Sequence, residues 1–214
     1  MTGTELLEHA SQLNGGAEPN NTLFFELVNM FKTIIEGMRP WMFLRKVDSS
    51  QTITAATTSS TQLSLPTDFK KPFLVKRPDG SKTSLMLRNS AGAAVYLQQI
   101  PFGTQESYRD ISGYWWYDIR ASKFYVSGTW NETWTVYLNY IYKSVTITTA
   151  TEWAYPDEDR HPVLADLAIA AIKSGQDYDE INARQAIDNN RVASMIINSM
   201  VMEDDELQRS QYNI

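Results

Sequence analysis

A chain of 214 residues has room for one or two compact units. Its 43% hydrophobic and 21% charged residues exclude a collagen-like or wholly disordered chain, and a net charge of −6 does not suit a nucleic-acid coat. The absence of cysteine excludes disulfides, thiolate nucleophiles, zinc ribbons and iron–sulfur clusters. Residues 4–13 read as a short helix, broken by Asn14-Gly15-Gly16. A stronger helix follows. Leu23, Leu27, Met30, Phe31, Ile34 and Ile35 recur at helical spacing, with Asn21 or Thr22 as cap and Gly37 and Pro40 as the stop.

The period then changes. Residues 49–62 hold nine Ser/Thr among fourteen, and the β-branched threonines around Ile53 predict strands near 51–55 and 61–65 joined by a polar turn. Pro66 ends the second strand. Pro78-Asp79-Gly80 marks a hairpin between 72–77 and 83–87, because Pro presets φ and Gly accepts a positive φ. Residues 90–99 are ambiguous, with a short helix preferred. Strands follow at 114–119 and 123–127. Thr133–Tyr142 alternates, with Trp134, Val136, Leu138, Tyr140 and Tyr142 on one face.

Helical spacing returns after residue 156. Asp159 can cap, Pro162 suits a first turn, and residues 163–173 are almost wholly apolar, which predicts a helix buried on all sides and stopped by Gly175. Asp177 to Glu180 resembles a capping box for a last helix to about Met202, with Ala183, Ala186, Ile187, Ala193, Ile197, Met200 and Val201 as its stripe. Four acids from Glu203 oppose the dipole at a helix C-terminus, so the helix is expected to end there. The fold class is α+β. Residues 1–38 and 151–202 form a helical bundle, residues 39–150 an inserted antiparallel β-sandwich or barrel-like domain, and residues 203–214 an extended C-terminal arm.

Charge follows this division. Residues 1–36 carry net −4, residues 37–149 net +6 and residues 150–214 net −8. Arg39, Arg45, Lys46, Lys70, Lys71, Lys76, Arg77 and Lys82 lie in one stretch, suited either to nucleic acid or to an acidic subunit neighbour. Tyr114-Trp115-Trp116-Tyr117 offers either a stacking platform for sugars or bases, or core and interface. Trp41 to Leu44 reads as the junction where the chain enters the β domain. Asp157, Glu158 and Asp159 suit a solvated helix start. His161 has no Ser or Cys partner at a motif spacing and reads as structural. No phosphate loop is present, and neither an enzyme nor a cofactor or metal is expected. Residues 1–14 lack the features of a signal peptide, and no apolar run is long enough to span a membrane.

Several short motifs together carry a resemblance. Arg39-Pro40-Trp41-Met42-Phe43-Leu44 follows an N-terminal helix, and a Ser/Thr-rich strand leads into Leu63-Ser64-Leu65-Pro66-Thr67-Asp68-Phe69. Ser122 to Val126 and Trp134 to Tyr140 come later, and Trp153, Tyr155 and Pro156 precede the C-terminal helices. Over residues 20–200 this order resembles tailed-phage head-to-tail adaptor (connector) proteins. The resemblance implies a non-catalytic virion protein of the neck, assembled in the host cytoplasm. It implies a ring, typically of twelve copies, docked beneath the portal, joined to tail or nozzle proteins, with a channel through which DNA passes without tight binding. It also implies a C-terminal arm that reaches the portal, here Leu207, Gln208, Arg209, Tyr212 and Ile214. Candidate subunit-interface residues are Arg39, Trp41, Arg45, Lys46, Lys70, Lys71, Trp115 and Trp116. The rival reading is a carbohydrate- or ligand-binding β module that stacks its ligand on Trp115, Trp116 and Tyr117.

Overall fold

Helix α1 (Gly3–Leu13) starts from a capping box. The Glu5 N–H donates to the Thr2 hydroxyl, and the Glu5 carboxylate accepts from the Thr2 N–H at 2.6 Å. Gly3 is needed there for closeness, since a Cβ would lie 1.9 Å from the Thr148 carbonyl oxygen. The structure, a computed structural model, describes residues 1–54, 60–77, 80–175 and 180–212. The chain divides into a helical unit, Met1–Leu44 with the residues from Ser144 onward, and a β unit, Arg45–Lys143.

The helical unit holds five α-helices among the described residues. Helix α2 (Asn21–Gly37) is capped by Asn20, one residue before the expected position. It buries Phe24, Leu27, Phe31, Ile34 and Ile35, while Leu23 faces solvent. Helix α3 (Pro162–Ser174) touches every other helix of the unit and buries Val163, Leu164, Leu167 and Ile169, but Ala170 and Lys173 are exposed, so it is not covered on all sides. Burial of one such side chain contributes about 1.5–3 kcal/mol. Gly175 closes α3 with φ +63°.

The expected last helix is two helices, α4 (Glu180–Asn189) and α5 (Arg191–Tyr212). Asn190 breaks them because its side-chain oxygen accepts from the N–H groups of Val192 and Ala193, which restarts the helix. The capping box expected at 177–180 lies outside the described residues. The stripe itself holds, with Ala183, Ile187, Ala193, Ile197 and Met200 buried. The larger correction concerns residues 203–214. As far as Tyr212 they are no extended arm, since α5 runs on through the acidic run; residues 213 and 214 lie outside the described residues. The acids do not end the helix because Glu203, Asp204 and Asp205 take basic or hydrogen-bonding partners elsewhere in the unit.

In the β unit the longest strand is β11 (Trp134–Tyr142). Its inward residues Trp134, Val136, Leu138 and Tyr140 are all buried. One edge pairs with β1 (Arg45–Asp48) and β2 (Thr52–Ile53), where Asp48 opposes Leu138 but Thr52 opposes Thr135. Four steps against three make a bulge, centred on Gln51. The other edge pairs with β7 (Leu85–Asn89) and then β4 (Phe69–Pro72). Between those two strands the chain leaves the edge at Asn139, where Phe73 donates to the Asn139 oxygen and Asn139 donates to the Ser84 oxygen. The excursion forms a separate ribbon of β5 (Val75–Lys76) and β6 (Lys82–Thr83). Of the expected Pro78-Asp79-Gly80 turn, only Gly80 lies within the described residues, with φ +82°.

Strand β8 (Ala94–Gln99) pairs with β7, so the helix expected over 90–99 is a strand. Asn89 and Gly92 make the preceding turn, and Leu97 points into the core. The parallel pairing of β8 with β9 (Tyr114–Asp118) makes the sheet mixed, not antiparallel. Strand β10 (Lys123–Ser127) pairs with β9 and with β3 (Ser60–Ser64). The strands expected near 51–55 and 61–65 exist as β2 and β3, but they pair with β11 and β10 and not with each other; the connection at 55–59 lies outside the described residues.

The result is one curled nine-stranded sheet around one core, not a two-sheet sandwich. Its two ends meet at Gln51. The Gln51 amide donates to the Ser64 oxygen at 2.6 Å and accepts from the Ser64 N–H at 2.9 Å, so a side chain makes the bonds that a closing strand would make.

Candidate functional site

Three turns of α5 are held down by residues from other parts of the helical unit. Arg39 reaches Asp204 at 3.1 Å and Asp205 at 2.6 Å, and its guanidinium lies over the Trp41 ring. Asp204 is buried, accepts from the Met42 backbone N–H at 2.6 Å, and accepts from Gln208. One residue earlier, Glu203 accepts from Tyr155, Ser199 and Arg160. The Tyr155 hydroxyl is the main reason its carboxyl sits below the ordinary 4.5, with Ser199 and Arg160 adding to it against the opposing effect of burial. Burial and the same carboxylate push the Tyr155 hydroxyl up. The segment Arg39–Met42 is therefore a receptor for an acidic helix of its own chain.

A second buried set stands behind it. Glu36 is 7% exposed and accepts from the Trp153 indole at 3.0 Å and from the Ser144 hydroxyl, with the Lys32 ammonium 3.7 Å away. His161 is 1% exposed, and its Nε2 donates to the Tyr155 carbonyl at 2.7 Å. Both groups are occupied in joining segments, which suits structure and not proton transfer to a bound molecule.

With one face of α5 clamped, another is left outside. Val192, Met195 and Met202 are 59%, 63% and 62% exposed, spaced three and seven residues apart along one stripe. Leu207, on the same helix, is 53% exposed. Of the other expected arm residues, Gln208 is half-buried on Asp204 and Arg209 is exposed. The Tyr212 side chain and Ile214 lie outside the described residues. The sequence carries this second apolar stripe as Val192, Met195 and Met202, at spacings of three and seven, beside the core stripe.

The proposed interface residues fall into two groups. Trp41 and Trp115 are fully buried and Trp116 is 4% exposed. The Trp41 indole donates to the Ile35 oxygen, Trp115 lies in the β core, and Trp116 stacks on Tyr125 at 5.5 Å. These three rings are not surface groups of the chain, and Trp115 and Trp116 form no exposed stacking platform. The structure thereby corrects both expectations for them. Trp115 and Trp116 are buried because inward and outward aromatics of β9 each find partners on neighbouring strands.

Among the basic residues, Arg39 is committed to α5. Lys46 pairs with Asp68 at 2.7 Å and lies over the Tyr142 ring, and Arg45 donates to Asn139 and lies over Phe73. Burial alone would raise Asp68, but the bonds from Lys46 and Tyr140 outweigh it and hold the carboxyl below its ordinary 3.8. Lys70 is half-buried and Lys71 exposed. Among the described residues no group of three or more His, Asp or Glu is placed to hold a metal, and no helix is long and apolar enough to cross a membrane. The grooves are open. One of about 600 Å³ in the β unit is lined in part by Ile100, Phe102, Tyr117 and Ile119 and holds no cluster of acid–base groups among the described residues.

These features describe a chain built to hold surfaces. A family model described as SU10 adaptor protein matches residues 2–212. The chain belongs to the SU10 adaptor protein family. A comparison with curated proteins gives no match. Membership makes this a phage adaptor, in line with the head-to-tail adaptor resemblance read from its motifs. An adaptor of this kind is a structural protein of the virion neck, with portal and tail proteins as the partners the family implies, and is not expected to be an enzyme. The match spans both units of the adaptor.

Proposed function

We propose that this adaptor forms a closed ring, twelve copies in the family's usual number, that docks beneath the portal, receives tail or nozzle proteins on its other side and leaves a channel for DNA. The observation that carries the docking step is the outer stripe of α5. An apolar helix face left uncovered by its own chain is what a helix-in-groove contact requires. The clamps on Asp204 and Glu203 hold that face ready at low ordering cost. The portal-contacting set on this reading is Val192, Met195, Met202 and Leu207 with Arg209, and the contact is helical from Arg191 to Tyr212. DNA passes without tight binding, because the chain's net charge of −6 gives no general affinity for phosphates. Assembly takes place in the host cytoplasm before the tail is added.

Negative-stain images of the protein, alone and mixed with the portal ring, test the class: a ring with a central hole is expected in at least the mixture. A Met195→Lys/Met202→Lys double variant tests the docking face. Both side chains are exposed, so the variant folds, and portal binding falls at least tenfold. Unchanged binding by that variant would remove α5 from the contact.

A further inference from the structure

The ribbon of β5 and β6 is built against a local rule. Its register sets Lys76 directly opposite Lys82, and both are exposed. Like charges across a ladder destabilise it, and a two-stranded ribbon has little else to hold it together. Among the described residues neither lysine has an ion pair or hydrogen bond to offset this. The ribbon is also not part of the main sheet, being the excursion that leaves and rejoins β11 at Asn139. Beside it runs an open 540 Å³ groove lined in part by Arg77, Lys82, Tyr96 and Ile111. The Arg77 guanidinium stacks 3.9 Å from the Tyr96 ring centre, while Tyr96 and Ile111 remain 40% and 53% exposed. Lys82 thus lines a groove of mixed polar and apolar walls, with Lys76 opposite it on the ribbon, and among the described residues neither ammonium group has a compensating partner.

We propose that this ribbon and groove are a docking surface for the acidic helical unit of a second copy of the chain. The complement is present in every subunit. The β unit carries twelve Lys/Arg and seven Asp/Glu, net +5, while the helical unit carries seven and eighteen, net −11. Glu8, Glu26, Asp188 and Glu206 stand exposed on its helices without an ion pair among the described residues. A basic surface on one unit and an acidic one on the other make a head-to-tail contact, the kind that closes rings. Duplex DNA offers the same sign of charge, but the −11 carried on the same chain opposes its approach while favouring a neighbour. The inference rests on the ring reading and adds the surface that builds it.

The test uses full-length chains, half of them isotope-labelled, with or without the portal ring. Zero-length carbodiimide cross-linking condenses a lysine amine with a carboxylate in direct contact. Mixed-isotope products should join Lys76 or Lys82 to carboxylates of residues 1–44 or 144–212. The Lys82→Glu variant turns a like-charge pair into an opposite-charge one, so the ribbon keeps its fold. Its self-association should weaken about tenfold in native mass spectrometry. Cross-links between copies that avoid both lysines, or wild-type association by Lys82→Glu, overturn the docking surface and leave the ring standing. A DNA shift that Lys82→Glu abolishes, with self-association unchanged, overturns it in favour of DNA. A chain that stays monomeric at every salt concentration, alone and with the portal ring, overturns both the surface and the ring.

Discussion

The two units solve the same problem, how to bury a core, by opposite use of polar groups. In the helical unit polar side chains, several of them buried, are ties between segments far apart in sequence. Glu36 reaches Ser144 and Trp153, Asp204 reaches Arg39 and Met42, and Glu203 reaches Tyr155 and Arg160. In the β unit the ladder joins the segments, and the core is aromatic. There the indole N–H groups of Trp115, Trp130 and Trp134 have no partner among the described residues. The difference teaches where specificity comes from. A sheet fixes its register through backbone bonds and can leave side chains to fill space. Packed helices can slide, and directional bonds between side chains fix which turn meets which.

The comparison is open to attack at graded strength. Trp115→Ala, which empties the middle of the β core, is expected to cost about 3–5 kcal/mol in chemical denaturation followed by tryptophan fluorescence. If instead the loss is below about 1 kcal/mol, the aromatic core does not carry the β unit. Asp204→Ala strands the Met42 N–H and half of the Arg39 fork, for an expected loss of about 2–3 kcal/mol seen in the far-UV helical signal, with the β unit's transition unmoved. A parallel loss in both signals would erase the division of labour. Gln51→Ala opens the seam of the curled sheet at an expected cost of about 1 kcal/mol, and faster hydrogen exchange at the Ser64 amide should accompany it.

The smallest effect is one of pH. Glu203 has a folded-state pKa below its ordinary 4.5, so its contribution is present above that value and is lost as pH falls through the lowered one. Asp68, lowered from 3.8, does the same in the β unit. Glu203→Gln should therefore flatten the acid limb of the helical unit's stability curve and leave the β unit's limb in place. Equal flattening in both would show that the two titrations are not separate.

What the sequence disclosed depended on the range of the forces involved. Periodicity revealed α1, α2, α3 and β9 to β11 because each is set by neighbours a few residues away. It missed the parallel pairing of β8 and β9, which depends on a crossover from Ile100 to Gly113, and the closure at Gln51, which depends on a bulge. The acidic run from Glu203 misled for the same reason. The helix dipole argues for a stop, but Arg39 and Arg160, over forty residues away or more, outvote it. Trp115 and Trp116 read correctly as aromatic on both faces of a strand. Only the structure shows both faces covered.

The pairing of β1 with the far end of β11 has an effect on how the whole chain comes together. Because Arg45 sits across from Ile141, the β unit, once formed, brings Leu44 and Ser144 within a few residues' reach of each other. The helical unit then no longer has to close a gap of about a hundred residues; the entropy of that long loop has been replaced by something like a short turn. Synthesis runs in the matching order. The last strand of the β unit is made before any of α3, α4 or α5, so the inner unit can fold while the outer one is still incomplete. Nesting, which looks on paper like an obstacle to folding, makes each half the preparation for the other.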